Sequence, residues 1–347
     1  MRIAVDAMGG DRAPGAPVEG ALRAVEAFDD LEVVLVGRVE ILTAELERLG
    51  ASTALRARLP LHPADSVVGM DEDPVLAVRS RAGTSARVAA ELLGGGAVAG
   101  VVNMGSTGAA VAAAQLYCER LAGVKRLGIA VPFPRAHGAT IVCDCGANPD
   151  ARPEHLQQYA VMAAHYARAA LGVAQPRIGI LSIGEEEHKG NRLVKETWER
   201  FRADPLPAAV GTFVGNVEPR EFFHDRADVV VTEGFSGNVA LKAAEGMAEF
   251  ILGVLKATLP VAPESGKVLK TLLARVDYAE HGGAPLLGVK GAYIIGHGRS
   301  DARAVMNALK AARAYVAHDV GAKIVAALAG LSNPADASER AGLAGRD

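Results

Sequence analysis

Apolar residues along the chain fall into two alternating patterns. Short continuous runs at residues 3–6, 33–36, 97–102, 127–131, 139–144, 177–182, 229–232 and 292–295 have the length of buried strands, and most lead into a glycine-bearing loop. Between them apolar residues recur at three- and four-residue spacing, as in Val18, Ala21, Leu22, Val25 and Phe28, and again in Ile41, Leu42, Leu46 and Leu49. That spacing marks helices with one buried face. Strands buried on both faces and alternating with helices predict an α/β fold around a mostly parallel sheet covered on both sides. The run at 139–144 follows the one at 127–131 so closely that one antiparallel hairpin is expected to interrupt the alternation.

A length of 347 residues suggests two domains, but no linker divides this pattern. Asp204-Pro205-Leu206-Pro207 and the prolines at 259–263 read as turns inside the alternation. Residues 1–331 are therefore expected to form a single α/β domain, with room for two lobes. Residues 332–347, rich in Asp, Ser, Arg and Gly, are expected to form a flexible tail.

The uncharged stretch at 92–118 exceeds the ~20 residues a membrane span needs. It contains Gly94, Gly95, Gly96, Gly100, Gly105 and Gly108 together with Asn103, Ser106, Thr107 and Gln115. A helix end, a buried strand, a glycine loop and a buried helix account for it better. The first residues read as a strand and lack the apolar segment of a signal peptide.

Composition narrows the function. Aromatics are only 4% and the net charge is -3, which removes both the stacking platforms and the basic surface of a nucleic-acid binder. Three cysteines give no disulfide framework and suit a reducing compartment, and no histidine or cysteine pairs stand at zinc-ligand spacing. No metal is expected.

Four strand-to-helix loops carry candidate chemistry, because ligands of open α/β sheets bind beyond the strands' carboxyl ends, where helix N-termini offer free N–H groups. The first is Asn103-Met104-Gly105-Ser106-Thr107-Gly108, either a phosphate cradle or a plain tight turn. The second is Gly184-Glu185-Glu186-Glu187-His188-Lys189-Gly190-Asn191, where Lys189 faces an oxyanion or is an ordinary surface lysine. The third is Thr232-Glu233-Gly234-Phe235-Ser236-Gly237-Asn238. Here Asn238 is either a helix cap, using its oxygen, or a hydrogen-bond donor to a ligand, using its amide N–H₂. The fourth is His297-Gly298-Arg299-Ser300-Asp301. Together at one sheet edge they would make an anion-binding cleft.

The usual nucleophile and phosphate motifs are absent: no Gly-x-Ser-x-Gly elbow, no Gly-x4-Gly-Lys-Ser/Thr loop and no His-Glu-x-x-His. Gly94-x-Gly96-x-x-Ala99 imitates a dinucleotide fingerprint but precedes a strand instead of following one. One further segment stands out. Residues 256–275 carry Lys256, Glu264, Lys267, Lys270 and Arg275, a net +3 in an acidic chain. It is an ordinary surface helix or a dock for an acidic protein or an anionic membrane surface.

Val5-Asp6-Ala7-Met8-Gly9-Gly10-Asp11 with Pro14 resembles the N-terminal signature of the acyl-carrier-protein:phosphate acyltransferases of bacterial phospholipid synthesis. The likeness continues through Asp144-Cys145-Gly146-Ala147-Asn148, residues 184–191 and 232–242, Gly282-Gly283-Ala284-Pro285-Leu286-Leu287-Gly288 and His297-Gly298-Arg299-Ser300. It implies a three-layer α/β/α, Rossmann-like fold related to phosphotransacetylases and isopropylmalate-type dehydrogenases. It further implies transfer of a fatty acyl group from acyl carrier protein to inorganic phosphate without a cofactor. The implied protein is a homodimer, cytoplasmic or peripheral at the inner face of the membrane. Two departures stand out: the family pattern Ser-Ala-Gly-Asn-Thr-Gly is Asn103-Met104-Gly105-Ser106-Thr107-Gly108 here, and the helical arm around 255–276 is short.

Phosphate is itself a nucleophile, so the resemblance needs no serine or cysteine. It implies Lys189 and Asn238 as the catalytic pair, neutralising phosphate or the developing oxyanion and donating a hydrogen bond to it. Gly105, Ser106, Thr107, Gly108, Ser236 and Gly237 would hold phosphate, and His297 would assist the leaving thiol. Lys256, Lys267, Lys270 and Arg275 would dock the carrier protein. Asp6, Asp11 and Asp144 would orient loops, because carboxylates repel phosphate. Alternatives are an acyl-CoA:phosphate transferase of the phosphotransacetylase kind, a decarboxylating dehydrogenase, and a non-catalytic carrier-protein or membrane-recruiting module.

Overall fold

Strands and helices alternate almost throughout the computed structural model, which describes residues 1–69, 71–258, 266 and 282–331. In chain order the first elements are β1 (Arg2–Asp6), α1 (Gly15–Ala27), β2 (Glu32–Gly37), α2 (Val39–Arg48), α3 (Thr53–Arg56), β3 (Leu61–Pro63), α4 (Pro74–Ser80), α5 (Ser85–Gly94), β4 (Gly100–Asn103) and α6 (Thr107–Tyr117). There follow β5 (Gly128–Pro134), β6 (Ala139–Cys143), α7 (Pro153–Leu171), β7 (Arg177–Leu181), α8 (Arg192–Ala203), β8 (Thr212–Val217), β9 (Val229–Val231) and α9 (Gly234–Thr258). The last are β10 (Ala284–Leu287), β11 (Ala292–Ile295), α10 (Ala302–Ala317) and α11 (Val320–Ala329).

These elements form two compact units. The first comprises residues 1–120 and 247–318, and its strands run in the order β3-β2-β1-β4-β11-β10. All its pairings are parallel except β10 with β11. The second comprises residues 121–246 and those from 319 onward, ordered β5-β6-β9-β7-β8. There only β5 and β6 run antiparallel, forming the expected hairpin. The expected tail at 332–347 lies outside the described residues.

The β10–β11 pair was not expected from the sequence. Its first strand, Ala284-Pro285-Leu286-Leu287, is short, contains a proline and sits between glycines, all features of a loop. Gly283 explains the pairing: at φ +80 its missing side chain lets the backbone approach the Ile295 carbonyl, which a β-carbon would meet at 2.8 Å.

The uncharged stretch resolves as read. α5 ends at Gly94, β4 is wholly buried, and α6 buries Ala109, Ala110, Ala112, Ala113 and Ala114. Gly94 and Gly96 precede β4, so the fingerprint-like spacing does not open a helix after a strand. Among the described residues no helix is long and apolar enough to cross a membrane.

In the second unit an ion-pair cluster closes the N-terminal edge of the strands. Asp228 is bound by Arg177 Nε at 2.9 Å and by Arg135 Nη2 at 3.2 Å, and it also accepts the Arg177 backbone N–H at 2.9 Å. Burial alone would raise the Asp228 carboxyl, but the hydrogen bonds and charge of Arg177 and Arg135 hold it below its ordinary value.

Candidate functional site

The carboxyl ends of the parallel strands carry the loops that the sequence singles out, divided between the units. In the first unit β1, β4 and β11 end side by side, so residues 6–11, 103–108 and 297–301 converge. Their backbones are pressed together. A β-carbon on Gly9 would lie 2.9 Å from the Gly105 nitrogen, and one on Gly10, at φ +95, would lie 2.8 Å from the Met104 oxygen. The Asp11 N–H donates to the Gly298 oxygen at 2.8 Å.

Buried Asp6 organises this meeting. Its carboxylate accepts the Met8 N–H at 3.2 Å and the Asn103 amide at 3.0 Å, while Asn103 Oδ1 accepts the Gly105 N–H at 2.8 Å. Burial pushes the Asp6 carboxyl above its ordinary value, against the pull of these donors. Both polar positions that depart from the family pattern therefore have work within the fold. Asn103 ties β1 to β4, and Ser106 is the N-cap of α6, its Oγ accepting the Ala109 N–H at 3.4 Å. Thr107 and Gly108 are exposed in the first turn of α6. His297 Nδ1 accepts the Arg299 N–H at 3.2 Å, which leaves the proton of a neutral ring on Nε2.

In the second unit, Asp144 plays the organising part. Its Oδ1 accepts N–H groups of Ile129, Gly146 and Ala147 at 2.9, 3.1 and 3.0 Å, and its Oδ2 accepts that of Asn148 at 2.7 Å. Burial again raises the carboxyl, opposed by those donors. The first turn of α9 rests on this loop, and Asn238 lies beside Gly146, with its Cγ 3.7 Å from where a β-carbon of Gly146 would be.

Asn238 does not cap the helix. α9 begins four residues earlier, at Gly234, and the cap is Glu233, whose carboxylate accepts the N–H groups of Phe235 at 2.6 Å and Ser236 at 2.9 Å. Asn238 is exposed, which frees its amide for other use. The Gly237 N–H is taken by the Glu233 carbonyl at 3.1 Å.

The acidic loop after β7 is held from outside. Glu185 pairs with Arg220 at 3.8 Å, Glu187 with Arg202, and the Glu186 carbonyl accepts the Asn216 amide at 2.8 Å. Lys189 is exposed and its ammonium has no ion-pair partner among the described residues. Asn191 caps α8 through the Val194 N–H at 3.0 Å.

A cavity of ≈ 610 Å³ opens between this loop and α9. Its walls are mostly apolar, among them Leu193, Val194, Val239 and Ala243. Its polar members are Ser182, Thr232 and Ser236 with Asn191 and Glu233, whose side chains are already taken as helix caps. The sequence reading missed it. The signals were Ile183 and Phe235, large apolar residues inside two polar glycine loops, which are 82% and 66% exposed here.

The cysteines are not nucleophiles. Burial drives the Cys143 and Cys145 thiols far up, and Cys118 is pushed up to about 12. Among the described residues no cluster of His, Cys, Asp or Glu could hold a metal ion. Lys256 is exposed near the end of α9, whereas Lys267, Lys270 and Arg275 lie outside the described residues.

Comparison with known proteins gives a consistent picture. Residues 1–323 match the family model "Fatty acid synthesis protein". A phosphate acyltransferase of Thermus thermophilus is 48% identical over 324 residues, spanning 91% of this chain and 95% of that protein. That of a Geobacter species is 42% identical, spanning 99% and 96%. Among solved structures, the EutD phosphotransacetylase from Staphylococcus aureus aligns with a TM-score of 0.57 at 17% identity, covering 90% of this chain and 94% of that one. A branched-chain phosphotransacylase from Enterococcus faecalis V583 gives 0.55 at 14%, covering 91% and 99%. At such identities the structural likeness speaks for the fold: a mostly parallel sheet flanked by helices.

Proposed function

The chain belongs to the phosphate acyltransferase family, and from that premise we propose that it transfers a fatty acyl group from acyl carrier protein to inorganic phosphate. A phosphate oxygen attacks the thioester carbonyl, the tetrahedral oxyanion collapses, and the C–S bond breaks. The products are the acyl phosphate and the carrier's thiolate, which takes up a proton to become the thiol. No covalent enzyme intermediate is needed, in keeping with the inert cysteines.

The observation that carries the reading is Lys189. In a loop whose neighbouring carboxylates Glu185 and Glu187 are engaged by arginines, this cation remains exposed and without an ion-pair partner among the described residues, at the carboxyl end of β7. Asn238 stands in the first turns of α9, after neighbouring β9, with its amide released from capping. Lys189 neutralises phosphate or the oxyanion, and Asn238 donates a hydrogen bond to it. The Ser236 hydroxyl is a further phosphate contact in this reading, whereas Gly237, its N–H taken by the Glu233 carbonyl, shapes the turn. The loop from Gly105 to Gly108 and His297 are candidate phosphate and thiol contacts within the first unit.

We further read the protein as a cytoplasmic homodimer that meets the inner face of the membrane, where its amphiphilic product is used. Supporting this is a group of exposed apolar side chains on the later turns of α9: Met247, Phe250, Ile251 and Val254. Sedimentation and vesicle flotation test those two statements.

The reaction is tested by incubating the protein with acyl-carrier-protein thioester and phosphate and measuring acyl phosphate. Lys189→Ala and Asn238→Ala are each expected to lower kcat by about a hundredfold. Near-normal turnover in both variants would remove the assigned roles. Turnover of acyl-CoA with none from the carrier thioester would favour a phosphotransacetylase-like donor.

A further inference from the structure

The cavity in the second unit combines three observations. It has ≈ 610 Å³ of space, within the range of small-molecule sites, and mostly apolar walls. Ser182 lines it, is 5% exposed, and its Oγ has no hydrogen-bond partner among the described residues. A buried hydroxyl left unpaired is costly and calls for a partner. Finally, Gly190, also in the lining, stands beside that hydroxyl without a side chain: a β-carbon there would lie 3.0 Å from Ser182 Oγ.

Apolar walls with one unsatisfied hydroxyl fit an occupant that is a hydrocarbon chain carrying an acceptor oxygen. A peptide or nucleotide would bring many polar groups into mostly apolar walls whose Asn191 and Glu233 side chains are already engaged as caps. We infer that the cavity is the acyl-chain site, with Ala240 and Ala243 of α9 setting the chain length accepted and the Ser182 hydroxyl hydrogen-bonding the acyl carbonyl. This inference rests on the acyl-transfer reading above.

Val239, Ala240 and Ala243 occupy successive turns of the α9 face that lines the cavity, opposite Leu193 and Val194 of α8. Alanine at 240 and 243 leaves the space that larger side chains would fill. Each methylene taken out of water strengthens binding by about fourfold, so a shortened cavity discriminates steeply against long chains.

The test uses Ala240→Leu and Ala243→Phe, the second at an exposed helix position where folding is unaffected, with melting temperature as the check. Each is assayed with octanoyl and hexadecanoyl thioesters of acyl carrier protein, and each is titrated calorimetrically with hexadecanoate. The expected result is a loss of at least about tenfold in kcat/KM for the hexadecanoyl donor, with the octanoyl donor within about twofold, and a parallel loss of hexadecanoate binding. Ser182→Ala should raise KM for both donors alike, by about fivefold, as for one lost hydrogen bond. Equal losses for the two donors in the α9 variants, or unchanged hexadecanoate binding in both, overturn the inference. If wild-type protein binds hexadecanoate and the α9 variants do not, yet no acyl phosphate forms from any donor, the cavity assignment stands and the transfer reaction falls.

Discussion

The α-carbon of Gly237 sits so close to the carbonyl oxygen of Asp144 that a β-carbon would lie 1.9 Å from it. The obstacle is backbone, which no side-chain rotation relieves. Gly237→Ala is therefore expected to push the first turns of α9 off the loop of residues 144–148. The cost should be about 3 kcal/mol, at the upper end for overpacking. Denaturant unfolding measures it, and acyl-phosphate formation per folded molecule should fall with it, because Asn238 moves with the turn.

Glu233 holds the same turn from the other side. Removing its carboxylate in Glu233→Ala frees the N–H groups of Phe235 and Ser236 and should cost about 1 kcal/mol, the usual worth of an N-cap. Turnover should fall by more than that stability loss explains, with Glu233→Gln recovering part of it. A comparison of melting temperature with kcat across the three proteins separates the two effects.

At the opposite edge of the second unit's strands, Asp228→Asn leaves Arg135 and Arg177 with only the exposed Asp225 of the two carboxylates they share. Arg135 and Asp228 are both more than nine-tenths buried as side chains, so the loss should be about 3 kcal/mol. Specific activity of the folded fraction should stay at the wild-type value, since the cluster lies at the far ends of the strands from the candidate site. The folded Asp228 carboxyl titrates below its unfolded value. Its contribution is therefore complete above about pH 4 and is lost as pH falls through the folded value.

His165, on α7, has both ring nitrogens buried without a hydrogen-bond partner among the described residues. Burial, with Arg168 and Lys323 nearby, lowers it to about 4. The unfolded chain protonates near pH 6.5, so between these values the unfolded state binds the extra proton. Stability should be full above pH 7 and decline as pH falls from about 6.5 to 4. The total is about 2 kcal/mol after allowing for the ring's partial contact with solvent. Urea melts at pH 7 and 4.5 should show this slope in wild type and a flatter one in His165→Leu.

The sequence made the alternation of strands and helices, the 127–144 hairpin and the buried nature of 92–118 legible, because each rests on local periodicity. It was silent wherever a distant segment decides the outcome. Asn238 has the better chemistry for a cap, yet the loop organised by Asp144 draws the start of α9 back to Gly234, and Glu233 takes the position. The strand at 284–287 exists because β11 lies beside it. The cavity gathers Leu156, Ile183, Pro219 and Val239 from four separate stretches, none of which announces a pocket alone. Lys189 was legible as a candidate cation, but the engagement of its acidic neighbours by Arg202 and Arg220 required the folded chain.

Gly9 and Gly10 meet the loop after β4 backbone to backbone, and Gly234 and Gly237 meet the loop after β6 in the same way. A saturation mutagenesis screen would therefore score these four positions as intolerant as any residue that touches phosphate. What such a screen would record there is the clearance between neighbouring loops. Separating clearance from chemistry requires substitutions at Lys189 and Asn238, where larger or smaller side chains fit without displacing any backbone.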